Sequence, residues 1–148
     1  MRGGAVAGGG PDVRRAVALD DLPALAASVL DRLPKGGVVW LIGELGAGKT
    51  TFVQAVCGVL GAGLARSPTY ALVHRYASPA GAVLHVDCYR LTEADEARDL
   101  ALHEQLDGAR CLLVEWPERG GPWIPDPDIR LRLTAADADG RRWIEEIS

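Results

Sequence analysis

The chain has 148 residues, which is enough for one packed domain and too little for two. Hydrophobic residues make up 48% and charged residues 24%, a balance that excludes a disordered chain. Sixteen Lys plus Arg against twenty Asp plus Glu leave a net charge of −4, so the basic surplus of a protein that grips nucleic acid by itself is missing.

Residues 1–12 (MRGGAVAGGGPD) read as a flexible Gly-rich tail, and residues 13–148 as a single domain. The tail holds a charge but no apolar stretch of signal-peptide length, and no run approaches a membrane span, so a soluble cytoplasmic protein with no membrane partner is expected. Val13 to Leu19 suits a short edge strand. Asp20 and Asp21 then form an acidic N-cap before Leu22, Leu25, Ala26, Val29, Leu30 and Leu33, a helical spacing with Pro23 in the first turn. Pro34 and Gly36–Gly37 end that helix. Val38 to Ile42 (VVWLI) is unbroken and apolar, as a strand buried on both faces requires.

A glycine-rich turn leads into a helix over Thr51 to Leu60, closed by Gly61. Tyr70–Ala77 and Ala82–Val86, joined by Ser78-Pro79-Ala80-Gly81, predict a hairpin. Thr92 to Leu106 predicts one or two short helices with Thr92 as N-cap, and Arg110 to Glu115 (RCLLVE) a second buried strand. A Pro/Gly-rich loop from Pro117 to Pro127 precedes a terminal hairpin, Ile129–Thr134 with Arg142–Ile147. The order implies an α/β fold: one P-loop domain with a mixed, mostly parallel sheet flanked by helices and with antiparallel edges. Cys57, Cys88 and Cys111 are odd in number and widely spaced, which suits buried hydrophobes in a reducing compartment rather than disulfides or zinc ligands.

Gly43-Glu44-Leu45-Gly46-Ala47-Gly48-Lys49-Thr50 matches G-x-x-x-x-G-K-[ST] without a gap. Glycines let the backbone wrap a phosphate with its N–H groups inward, and the following helix adds the positive end of its dipole. In such a loop Lys49 reaches the β- and γ-phosphates, the Thr50 hydroxyl ligates Mg²⁺, and Thr51 joins residues 43–50 in binding the nucleotide. At this chain's composition a chance match is expected roughly 0.002 times. A nucleoside triphosphate is the implied ligand. The chain holds no Asn and no Lys after position 49, so the Asn-Lys-x-Asp segment that reads guanine cannot exist, and ATP becomes the default.

Turnover also needs a strand-end acid for Mg²⁺ or for the attacking water. Asp87, ending LHVD, and Glu115, ending LLVE, both qualify. Asp87 is the better Mg²⁺ partner of Thr50, and Glu115 either shares the metal or orients water. Ser67-Pro68-Thr69-Tyr70 is either a plain turn or a switch-like segment with Thr69 near the γ-phosphate. Arg90 and Arg119 follow the two acids, as phosphate ligands or salt-bridge partners. Trp116 either flanks the nucleotide or packs the sheet edge. His74, His85 and His103 stand singly and read as packing residues.

GELGAGKTTF (43–52), SPTY (67–70), HVDCYRL (85–91) and VEWPER (114–119) together resemble, in order and spacing, the bacterial TsaE family over most of residues 14–147. The resemblance implies a small P-loop ATPase needed for threonylcarbamoyladenosine, a modified adenosine beside the anticodon of tRNAs that read codons beginning with A. It implies two protein partners, TsaD and TsaB, which form the transferase unit, with tRNA met only indirectly and ATP hydrolysis resetting or regulating that unit. It implies ATP and Mg²⁺ as ligands, Lys49 and Thr50 on phosphate and metal, Thr69 in a switch-like loop, Asp87 and Glu115 on metal or water, and Trp116 as the aromatic beside the acid. A late basic residue at the nucleotide is supplied by Arg141 or Arg142, with Arg142 the one assigned. The family's acidic-acidic-threonine segment near the adenine is Asp20-Asp21-Leu22 here, without the threonine. The competing reading is a small-molecule or nucleoside kinase; roughly thirty residues after Glu115 leave little room for its helical lid.

Overall fold

The computed structural model of the chain describes residues 14–44, 46–64, 72–135, 138 and 141–147. The tail 1–12, Leu45 and the segment 67–70 with Thr69 lie outside the described residues. The strands are β1 (Arg14–Val17), β2 (Gly37–Ile42), β3 (Gly63–Leu64), β4 (Val73–Ala77), β5 (Val83–Asp87), β6 (Cys111–Glu115), β7 (Ile129–Thr134) and β8 (Arg142–Ile147). They form one sheet in the order β1-β8-β7-β2-β6-β5-β4-β3. The four middle strands β7, β2, β6 and β5 are parallel, and the pairs outside them are antiparallel. The mixed sheet with antiparallel edges is therefore as expected, and β3 is an edge strand too short to be announced by alternation.

Two longer helices, α1 (Leu22–Arg32) and α2 (Lys49–Leu60), pack on one face of the sheet. Leu22, Ala26, Val29 and Leu30 of α1 and Phe52, Val53 and Val56 of α2 meet Val39, Leu41, Leu113 and Leu131 there. Asp21 stands at the N-cap of α1, but its carboxylate accepts from Ala18 N–H at 2.9 Å rather than from the helix. The other end of α1 is closed from far away: the Arg110 guanidinium donates to the carbonyls of Leu30 (2.7 Å) and Pro34 (3.2 Å). A cation over the last carbonyls also offsets the helix dipole.

The opposite face is covered over β2, β5 and β6 by one-turn pieces, α3 (Asp95–Arg98), α4 (Leu102–Gln105) and the 3-10 segments Cys88–Arg90 and Pro117–Trp123. Thr92 is not the N-cap expected for this region; Ala94 occupies that position. Glu96 reaches back instead, and its carboxylate accepts from the Thr92 N–H (3.0 Å) and hydroxyl (2.9 Å), holding Thr92 ahead of the first turn. The segment after Glu115 is also more ordered than a loop, since Pro117–Trp123 turns as 3-10 helix with a kink at Gly121. The hairpin at Ser78–Gly81 is closed by Gly81 N–H to the Ser78 carbonyl at 3.0 Å and by the Ser78 hydroxyl to the Gly81 carbonyl at 2.6 Å.

All three cysteines are free; Cys88 and Cys111 are buried and Cys57 is half-buried. Burial pushes the Cys88 and Cys111 thiols up to about 12. No helix among the described residues is long and apolar enough to cross a membrane.

Candidate nucleotide site

Parallel pairing brings the carboxyl ends of β2, β6 and β5 to one edge of the sheet, where ligands of open α/β folds gather. The loop Gly43–Gly48 leaves β2 at that edge and runs into α2 at Lys49. Two close approaches require glycine in it. Gly48 has φ +101°, and a Cβ there would lie 2.5 Å from Arg142 Nε. A Cβ on Gly43 would collide with the Leu133 carbonyl and crowd the Ala47 methyl. The loop is tightened by Ala47 N–H to the Glu44 carbonyl at 3.1 Å.

Lys49 is only 4% exposed. Its Nζ donates to the Gly43 carbonyl and stands 4.2 Å from the centre of the Trp116 ring. Burial lowers the Lys49 pKa, and the carboxylates of Glu115, Asp87, Glu118 and Glu44 act against that shift. The ammonium is thus held among carboxylates and beneath an aromatic ring, so groups of both signs share one small site.

Asp87 and Glu115 are directly paired in the β5–β6 register, so the two strand-end acids stand side by side. Asp87, favoured from sequence as the Mg²⁺ partner of Thr50, lines the same cleft, and the Thr50 hydroxyl itself donates to Glu115 Oε2 at 3.3 Å. The reason is strand order: β6 adjoins β2, from which the loop springs, while β5 lies one strand further out. Asp87 Oδ1 accepts from Tyr89 N–H at 3.0 Å and caps the 3-10 turn after β5. A cleft of about 290 Å³ is lined by Gly46, Ala47, Gly48, Lys49, Thr50, Thr51, Asp87, Glu115, Trp116 and Arg142. It gathers most of the residues selected from sequence. Glu44 lies on the rim of a neighbouring cleft of about 390 Å³, which shares the Trp116 wall.

Trp116 has φ +55° and ψ +50°, a left-handed backbone that is uncommon outside glycine and marks a constrained position. Its ring contacts Tyr89 at 5.1 Å between centres, and the Arg119 guanidinium lies over both rings at 4.6 and 5.5 Å. Arg119 also donates to the Tyr89 carbonyl at 2.9 Å, so it braces the aromatic wall. Arg90 is exposed and absent from the lining of both clefts. Arg142 Nε, pressed against Gly48, is buried without a hydrogen-bond partner among the described residues. Leu22 is buried in the core, and Asp20 and Asp21 are exposed on a turn that lines neither cleft.

One residue of the site escaped the sequence reading. His85, taken as packing, is buried with Nε2 2.6 Å from Glu115 Oε2. The signal was parity: in β5, Val83, His85 and Asp87 share one face, the one that α2 covers.

The family model "Threonylcarbamoyl adenosine biosynthesis protein TsaE" matches residues 17–144. A protein of Aquifex aeolicus named tRNA threonylcarbamoyladenosine biosynthesis protein TsaE is 35% identical over 126 residues, covering 83% of this chain and 86% of its own. A protein of the same name from Streptomyces coelicolor is 38% identical over 111 residues, covering 72% and 74%. The crystal structure of Bacillus subtilis YdiB superimposes with a TM-score of 0.68 at 25% identity, covering 92% of this chain and 85% of that one. With the family model spanning nearly the whole described domain, and a phosphate loop and paired strand-end acids in register, the chain belongs to the TsaE family.

Proposed function

We propose that this chain, which acts in tRNA threonylcarbamoyladenosine biosynthesis, contributes to it as a Mg²⁺-dependent ATPase working with TsaD and TsaB. The observation that carries the reading is the convergence of Lys49, Thr50, Asp87, Glu115 and Arg142 on one cleft beneath Trp116. A triphosphate fits the donors present. The buried Arg142 Nε needs an acceptor, and a phosphate oxygen supplies one. Lys49 would exchange its bond to the Gly43 carbonyl for a phosphate oxygen, and the N-terminus of α2 adds its dipole. Mg²⁺ fits as well, because this ion is held by hard oxygens, one or two carboxylates together with substrate phosphates. Thr50, Glu115 and Asp87 would hold it, and when bound it neutralises charge developing on the phosphates.

The residues divide the remaining work. Glu115 or Asp87 orients the attacking water, Lys49 and Arg142 counter negative charge, and the braced Trp116 walls the site from solvent. Thr69 belongs to the switch-like segment of this reading. With a net charge of −4, the chain leaves tRNA to its partners and supplies an ATP cycle in the cytoplasm. Reconstituted tRNA modification with and without this chain, wild type and Glu115→Ala, tests the whole proposal, with phosphate release measured alone and with TsaD and TsaB. Slow hydrolysis that rises with partners is expected. Phosphotransfer to a nucleoside in place of phosphate release would favour a kinase and overturn it.

A further inference from the structure

Glu115 is only 3% exposed, and a carboxylate this deep keeps its orientation only through its hydrogen bonds. Two side chains hold it, and both meet the same oxygen: Thr50 Oγ1 at 3.3 Å and His85 Nε2 at 2.6 Å. The first distance is long for an O–H···O bond, while the second lies at the short end for nitrogen and oxygen. An ionised carboxylate only accepts, so with Glu115 ionised Nε2 is the donor of this pair. Convergence on Oε2 leaves Oε1 for a further partner. His85 itself is 6% exposed, sits behind Glu115 on the strand next to it, and does not line the cleft. Its outer side meets the His74 ring across the β4–β5 pair, with ring centres 6.0 Å apart. Among the described residues, the acid that His85 meets is the same one that takes the Thr50 hydroxyl.

We propose that His85 is a positioning residue that locks the Glu115 carboxylate in its working orientation toward Thr50 and the cleft; this rests on the ATPase reading above. It acts through Glu115, never on the nucleotide. Leucine at this position fills the space without a donor, whereas glutamine can place an amide nitrogen close to where Nε2 stands. The test compares His85→Leu, His85→Gln, Glu115→Gln, the His85→Leu/Glu115→Gln double variant and Lys49→Ala, each in the full chain with TsaD and TsaB. Hydrolysis kinetics, affinity for a fluorescent ADP analogue and thermal midpoints are measured. We expect His85→Leu to lose about tenfold or more in kcat with KM and ADP affinity within twofold of wild type, a size that matches loss of one well-placed charge-assisted bond. His85→Gln should recover most of that loss, and in the Glu115→Gln background His85→Leu should lose little further, because no working carboxylate is left to orient. Should His85→Leu not fold, His85→Met, likewise without a nitrogen donor, takes its place in both backgrounds. Wild-type turnover in His85→Leu, no advantage of Gln over Leu, or additive losses in the double variant would overturn the proposal. Wild-type turnover in Lys49→Ala would instead sink the ATPase reading itself, which keeps the two failures apart.

Discussion

At Gly48 the backbone and a distant side chain impose the same requirement. The left-handed φ of +101° disfavours any side chain, and the Arg142 guanidinium occupies the space a methyl would need. Gly48→Ala should therefore cost about 1–3 kcal/mol of stability and weaken nucleotide binding at least tenfold, read by chemical denaturation and by titration with an ADP analogue. Arg142→Ala removes the clash but also the buried Nε; we expect weaker nucleotide binding with stability nearly unchanged, since a buried unpaired donor contributes little to the fold. The motif residues Lys49 and Thr50 were legible because their spacing has a mechanism. His85 was not, because its partner Glu115 is thirty positions away and only the β5–β6 pairing joins them.

Among the elements, α1 and α2 were readable from apolar spacing, since each lays one stripe on the sheet. Phe52 is fully buried at 0% exposure between α2 and the sheet, and Phe52→Ala should lower unfolding free energy by about 3–5 kcal/mol. What closes α1 was not readable. Pro34 announces the stop, but the donor that satisfies the last carbonyls is Arg110, at the head of β6. Arg110→Ala should destabilise the protein by about 1–2 kcal/mol, for loss of charged hydrogen bonds that are partly solvent-exposed. The Thr92 reading failed for a related reason. Both Thr92 and Glu96 can serve as partners at a helix start, and the carboxylate reaching back to Thr92 leaves the cap position to Ala94.

For the whole molecule, the thiols report on folding. Cys88 and Cys111 stay protonated to about pH 12 in the fold but titrate from 9.0 when unfolded. Their contribution to stability is complete below pH 9 and is lost as pH rises toward 12. Lys49 has the opposite sign, its lowered pKa adding stability as pH approaches 10.5, but it is one group against four, since burial also raises the Cys57 thiol and the Tyr76 hydroxyl. Denaturation midpoints should thus decline between pH 9 and 12, and alkylation at pH 8 should reach half-buried Cys57 well before the other two. The acidic surface makes a second prediction: without partners, the chain should not retain tRNA on a filter even at low salt. Local patterning by itself determined the phosphate loop, the order of strands and helices and the acids ending two strands, because each depends on neighbours within a few residues. Tertiary structure alone decided that Glu115 rather than Asp87 meets Thr50, that Arg142 presses on Gly48 and that His85 stands behind Glu115. Those contacts follow from which strand lies beside which, and strand order is set by packing over the whole sheet.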